Sequence, residues 1–271
     1  MSKNLLLDGL LKSLNLLTMK DLHVKLAVSC QKEKLGFSDY LQALAEAEYD
    51  ARQQRHIAGL LKQAKLPRNK LLTDFDILRI PSLHPGIVKS LSEGQFIDNC
   101  ENVLIFGNPG TGKTHLSIAL AREWCLQGRK CLYLSAASLV LQLSAAKNNG
   151  KMTQYLKKLD KIEILIIDDI SYVPYERSET DLLFILLAER YEQRSTLITS
   201  NLPFSKWQQI FKDEMTTAAA IDRLVHHSTI LELNGESYRI SAAKNRLPNI
   251  NNAGEIASKT SNKMEVKIMA S

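Results

Sequence analysis

Five short apolar runs pace the middle of the chain: residues 103–106, 130–134, 164–168, 196–200 and 229–233. The stretches between them are longer and carry apolar residues at helical spacing, i, i+3, i+4. Strands that alternate with helices predict a parallel sheet covered by helices on both faces. The first 66 residues show a different pattern. They have no strand-like alternation and no proline before Pro67, so they read as helical throughout. One helix is expected over 3–14, with Leu6, Leu7, Leu10, Leu11 and Leu14 on one face. A second is expected from 18 or 20 to 34, ending at Gly36. A third, long and polar, is expected to run to Pro67 with Ser38 as its N-cap.

The pattern divides the chain into four parts. Residues 1–66 form a small helical domain that binds DNA or a partner, with Arg52, Arg55, His56, Lys62 and Lys65 in its last helix. Residues 67–101, punctuated by Pro67, Pro81 and Pro85, form a linker with one short helix near 86–91. Phe75 and Ile77 are its candidates for a surface facing a base. Residues 102–246 form the α/β domain. Residues 247–271 are rich in Asn, Ser and Lys, lack periodicity, and are expected to be a disordered tail.

Composition narrows this only a little. A chain of 271 residues, 45% hydrophobic and 24% charged, is ordinary for a globular protein. No stretch approaches the ~20 apolar residues of a membrane span. The leucine-rich start is broken by Lys12, Lys20 and Lys25, unlike a signal peptide. Cys30, Cys100, Cys125 and Cys131 form no C-x-x-C pair and read as free thiols in a reducing cytoplasm. The net charge of +6 is compatible with nucleic acid.

The chemistry concentrates where the first strand ends. Gly107, Asn108, Pro109, Gly110, Thr111, Gly112, Lys113 and Thr114 fit the phosphate-loop pattern G-x-x-x-x-G-K-[ST] without a mismatch, between a strand and a helix. The glycines let backbone N–H groups approach an oxyanion, and the following helix N-terminus faces it. Lys113 can reach β- and γ-phosphates, and the Thr114 hydroxyl can ligate Mg²⁺. About 55 residues on, 164–168 ends in the acids Asp168 and Asp169. Carboxylates there sit where open α/β sheets bind ligands. Asp168 is the candidate Mg²⁺-associated acid, and Asp169 the candidate to orient or deprotonate an attacking water. Asn201, after the fourth strand, is placed to hold that water.

Three motifs, Gly107 to Thr114, 164–169 and 199–201, resemble the Walker A, Walker B and sensor I elements of an AAA+ ATPase. Further stretches resemble the IstB family of insertion-sequence helper ATPases, related to DnaC-type helicase loaders and the DnaA initiator. They are Ser171-Tyr-Val-Pro, Leu187-Ala-Glu-Arg-Tyr-Glu-Gln-Arg-Ser, Met215-Thr-Thr-Ala-Ala-Ala-Ile-Asp-Arg-Leu-Val-His-His-Ser and Leu233-Asn-Gly-Glu-Ser-Tyr-Arg. The resemblance implies an AAA+ P-loop NTPase with a five-stranded parallel sheet between helices, preceded by a small all-α domain. It implies ATP and Mg²⁺ as cofactors and homo-oligomers with nucleotide at subunit interfaces. Arg223 matches the arginine-finger position, and Arg239 falls where a sensor II arginine is expected. His226 and His227 belong to the pattern too; with no third ligand in view they read as surface or packing residues.

Residues 138–161 resemble the initiator-specific insertion of this clade. Lys147, Lys151, Lys157 and Lys158 make that segment basic and are the candidate contacts to DNA phosphates. One departure from the wider superfamily is Asp169, where glutamate is usual. A carboxylate one methylene shorter would suit slow turnover. The expected function is an ATPase that assembles on DNA, largely without sequence preference, and helps a transposase select or engage its target. A replicative helicase loader is the nearest alternative. A small-molecule kinase would leave Arg223 and the basic insertion without a role.

Overall fold

The computed structural model describes residues 2–67, 70–171, 175–235 and 237–239. The expected tail, 247–271, lies outside the described residues. Helices α1 (Ser2–Ser13), α2 (Leu17–Lys32) and α3 (Phe37–Gln63) open the chain. A connector follows, with turns of 3-10 helix at Leu72–Asp74 and Ile77–Arg79 and helices α4 (Pro85–Glu93) and α5 (Gln95–Asp98). The α/β region then runs β1 (Asn102–Gly107), α6 (Lys113–Leu126), β2 (Cys131–Ser135), α7 (Ala136–Asn148), α8 (Met152–Asp160) and β3 (Ile164–Asp168). It continues with α9 (Arg177–Arg190), β4 (Ser195–Ser200), α10 (Gln208–Phe211), α11 (Glu214–Val225) and β5 (Ser228–Leu233).

The five strands form one parallel sheet in the order β2-β3-β4-β1-β5. The apolar runs of β1 and β3 are continuous because both their faces are covered, whereas the edge strand β5 alternates. Val103, Ile105, Ile164 and Ile166 pack on one face with α6, the connector and the end of α3. Leu104, Phe106, Leu165 and Ile167 pack on the other with α7, α9, α10 and α11. Leu60 and Ala64 of α3 belong to the first of these cores, and the Ala64 carbonyl accepts from the Tyr133 N–H at 2.9 Å.

The order of strands positions everything that follows. β3, β4 and β1 are neighbours, so their C-terminal ends lie side by side at ~4.8 Å spacing. The phosphate-loop pattern leaves β1, the paired acids leave β3, and Asn201 leaves β4.

Two local expectations shift. Ser38 is not the cap of α3: Gly36 is, extended at φ −74° and ψ 167°, and its N–H donates to the Asp39 carboxylate at 2.8 Å. A carboxylate three residues in satisfies the orphan amide from inside the first turn, so the helix starts earlier. α2 stops at Lys32, and Lys34 turns left-handed at φ 57°. Of the expected apolar face, Leu6, Leu7 and Leu10 of α1 and Leu14 just beyond it are exposed. The short helix expected at 86–91 is α4, with the His84 ring accepting from the Gly86 N–H at 3.1 Å.

Candidate nucleotide site

A cleft of about 580 Å³ opens above the C-terminal ends of β1, β3 and β4. Pro109, Gly110, Gly112, Lys113 and Thr114 form its floor, with Asp169, Thr199 and Asn201 on one side. Two glycines are required by the backbone. At Gly107 (φ 154°) a Cβ would lie 2.6 Å from the Leu233 carbonyl oxygen. At Gly112 (φ 101°), which starts α6, a Cβ would press the Phe75 ring at 2.9 Å. Thr111 is buried, and its hydroxyl donates to the Asn108 carbonyl at 2.9 Å.

Lys113 lies over this loop. Its ammonium donates to the carbonyls of Gly107 and Asn108 at 2.8 and 3.0 Å and to the Asn201 side-chain oxygen. Asn201 donates in turn to Asp169 Oδ1 at 2.9 Å. Lysine, asparagine and acid thus form one hydrogen-bonded chain across three strand ends. The Asn201 N–H is anchored on the Ser171 hydroxyl at 2.9 Å.

Asp168 is buried and accepts from three hydroxyls. Tyr133 donates at 2.6 Å, Thr199 at 2.7 Å, and Thr114 reaches both carboxylate oxygens at 3.0 and 3.1 Å. The Thr199 hydroxyl also accepts from the Asp169 N–H at 2.7 Å, so one threonine sets both acids. Asp169 itself is left-handed, φ 62°. That turns its side chain out of the strand's alternation and toward Asn201.

Burial and charge act in opposite directions here. Burial pushes the Lys113 ammonium below its ordinary value, while Asp169 and Asp168 pull it back and Arg239 adds to the fall. Burial and the neighbouring Asp168 raise the Asp169 carboxyl, against Lys113 and Arg239. Burial and Asp168 also raise the Tyr133 hydroxyl.

The residues predicted from the sequence separate into two groups. The phosphate loop, Asp168, Asp169, Asn201 and Arg239 come together, with Arg239 exposed on the rim of the cleft. Arg223 does not join them. Its guanidinium lies over the Phe184 ring at 4.9 Å and donates to the Ala219 carbonyl at 3.3 Å. Lys147, Lys151, Lys157 and Lys158 are exposed on and around α7 and α8. Of the two connector candidates, Phe75 lines the cleft and packs edge-on against His115, with ring centroids 5.5 Å apart. Ile77 packs against the core instead. Its turn of 3-10 helix, one residue beyond Asp76, carries it past the opening.

Three residues at the site carried no individual role from sequence: Tyr133 on Asp168, and Thr199 and Tyr238 in the lining of the cleft. Tyr133 and Thr199 look like ordinary strand residues, and Tyr238 arrives from beyond β5. The Tyr238 N–H donates to the Gly110 carbonyl at 2.9 Å, and its ring lies under the Arg79 guanidinium at 4.7 Å. A hydroxyl inside an apolar strand, within two residues in register of a strand-ending acid, is the signal that could have found Tyr133 and Thr199.

The family model described as IstB-like ATP binding protein matches residues 9–246. This chain belongs to that family. An insertion sequence ATP-binding protein of Sinorhizobium fredii is 38% identical over 235 residues, 86% of this chain and 79% of that protein. The insertion sequence IS21 ATP-binding protein of Pseudomonas aeruginosa is 38% identical over 209 residues, 77% of this chain and 79% of its own length. Among solved structures, the DnaC helicase loader superposes with a TM-score of 0.53 at 18% identity, covering 63% of this chain and 99% of that one. AMPPCP-bound DnaA from Aquifex aeolicus superposes at 0.54 and 19% identity, covering 69% of this chain and 57% of that one. The fold of this IstB-family chain is therefore that of an AAA+ P-loop NTPase. No described helix is long and apolar enough to cross a membrane.

Proposed function

We propose that this IstB-family protein hydrolyses ATP, assembles on DNA in its ATP form, and helps a cognate transposase engage target DNA. The observation that carries the reading is the chain from Lys113 through Asn201 to Asp169, set beside the Asp168–Thr114 pair. A γ-phosphate over the loop would meet Lys113 on one side and, on the other, a water held by Asn201 and Asp169. Lys113 exchanges two carbonyl contacts for phosphate oxygens as nucleotide enters. Asp169, its carboxyl raised by burial, is placed to take the water's proton.

The residues fit Mg²⁺. Asp168 and Thr114 present a compact set of oxygen donors, and all three hydroxyls around Asp168 are hard ligands or donors to it. Bound there, the ion would neutralise charge on the β- and γ-phosphates. Phe75 and Tyr238 flank the loop from the connector and from beyond β5, where a base would stack. Arg223 is read as serving the nucleotide of a neighbouring subunit in a homo-oligomer.

The relatives' insertion-sequence names support transposition as the setting. A DnaA initiator solved with AMPPCP and single-stranded DNA, TM-score 0.50, supports DNA as a ligand for the fold. The test is phosphate release by the purified full chain with and without duplex DNA. Hydrolysis should rise with DNA and fall as salt is added. A rate indifferent to DNA at every salt concentration would sink the DNA-dependent reading.

A further inference from the structure

The nucleotide cleft lies at the C-terminal edge of the sheet. At the opposite edge, the turns that lead into β4 and β5 bring together Glu192, His226 and His227. Glu192 Oε1 is 3.9 Å from His227 Nε2 and 4.0 Å from His226 Nδ1. All three ligand atoms lie within 4.8 Å of one another. The histidine pair has no third ligand nearby in the sequence, and the fold supplies a candidate in Glu192.

The arrangement depends on an unusual junction. Adjacent side chains diverge on a helix and point to opposite faces on a strand. Here α11 ends at Val225 and β5 begins at Ser228, so both histidines fall in the change of direction. Their rings come side by side, with centroids 4.1 Å apart. The His227 carbonyl accepts from the Asn102 N–H at 2.7 Å, which ties the junction to β1. Glu192 is turned toward the pair by its own left-handed backbone, φ 57°. The Tyr191 hydroxyl contacts His226 Nδ1 at 2.9 Å. That contact would give way when Nδ1 binds an ion.

We propose that Glu192, His226 and His227 form a site for a divalent transition metal of the zinc class. Two imidazoles and one carboxylate suit zinc or a neighbouring borderline ion, while Mg²⁺ and Ca²⁺ prefer all-oxygen sets. At bond lengths of about 2.0–2.2 Å, tetrahedral ligands stand roughly 3.3–3.5 Å apart. The observed spacings close to that by side-chain rotation, since each of the three side chains is 54% exposed. Three protein ligands leave a fourth position open to water or to a group from another molecule. The ion would clamp the turn after α9 to the end of α11. Arg223, about one turn before His226, and Phe184, about two turns before Glu192, pair those same two helices.

The test is Zn²⁺ titration of the nucleotide-free full chain against a chromophoric chelator. The chain should take up one tight equivalent. Loss of an outer partner alone typically costs about 10–100-fold, so removing both imidazoles in His226→Ala/His227→Ala should weaken binding by at least about 100-fold, and Glu192→Gln, which keeps a neutral oxygen donor in place of the carboxylate, by about 10-fold. Co²⁺ should give ligand-field bands without thiolate charge transfer. Thermal melts of the metal-free variants check folding, and Glu192→Gln, nearly isosteric, decides if the double variant fails to fold. Absence of a tight equivalent, unchanged affinity in the variants, or a thiolate band pointing to the cysteines would each overturn the site.

Discussion

Asp169, one residue past β3, combines a left-handed backbone with a half-buried carboxyl. Aspartate tolerates positive φ better than most residues, at about 1 kcal/mol. The Thr199 hydroxyl and the Asn201 side chain hold it there at 2.7 and 2.9 Å. Asparagine tolerates the same conformation and can still accept from Asn201. Asp169→Asn should therefore keep the fold and bind ATP as the parent does, because Asp168 and Thr114 are untouched. Hydrolysis should fall roughly 10²–10⁴-fold, the usual contribution of a positioned base, and assemblies on DNA should last longer. A variant turning over at the parent rate would remove Asp169 from the water's shell.

At the scale of elements, the N-terminal helices are joined by one buried acid. α2 has no side-chain cap at its own start. Instead the N–H groups of Thr18 and Met19 donate to Glu48 Oε2 of α3 at 2.7 and 3.1 Å. Arg52 and Arg55 hold the other oxygen at 3.1 and 3.0 Å. Burial alone would raise the Glu48 carboxyl; these amides and guanidinium groups outweigh it and hold it below its ordinary value. A carboxyl lowered on folding stabilises wherever it is ionised. That contribution is present above about pH 4.3 and is lost as pH falls below it. Glu48→Gln should lower the helical melting transition at neutral pH, by roughly 1–3 kcal/mol, and the gap to the parent should close in acid. A gap that stays constant down to pH 3 would show that the charge on Glu48 is not what joins α2 to α3. The second element-scale expectation concerns α7 and α8. Each phosphate contact to duplex DNA contributes about −0.9 to the slope of log K against log salt. Replacing Lys147, Lys151, Lys157 and Lys158 together should weaken DNA binding and flatten that slope. If replacement of Arg52, Arg55, Lys62 and Lys65 alone does so, the DNA surface is the N-terminal helix.

At the scale of the whole molecule, the role proposed for Arg223 requires a second copy of this chain. Arg223 rests on Phe184, outside the residues that line its own cleft. An arginine delivered from a neighbouring subunit contributes about 10³–10⁵ in rate where it has been measured in other NTPases. Arg223→Ala should bind ATP normally, assemble poorly and hydrolyse slowly. Mixed with Lys113→Ala, which lacks a working phosphate loop but keeps its arginine, it should regain part of the activity. Light scattering would confirm that the two variants enter common oligomers. A mixture that co-assembles yet stays as inactive as either variant alone would exclude action in trans.

Much of this was already decided within short windows of sequence. β1 and β3 carry uninterrupted apolar runs because both their faces are covered, and no sequence-distant partner was needed to recognise them. The phosphate loop is legible because glycine, lysine and threonine must follow one another at fixed spacing. Asp168 and Asp169 are legible because they end a strand. Even locally, competition between neighbours was harder to judge, as the capping of α3 by Gly36 and Asp39 in place of Ser38 shows. Other features are properties of the strand order β2-β3-β4-β1-β5 and of no local pattern. That order sets Thr199 of β4 and Tyr133 of β2 on the same carboxylate of β3. It aligns the turns before β4 and β5 so that Glu192 meets His226 and His227. It brings Phe75 and Tyr238, from opposite ends of the fold, to one phosphate loop. Each joins residues tens of positions apart, and such contacts exist only once helices cover both faces of the sheet and fix which strand lies beside which.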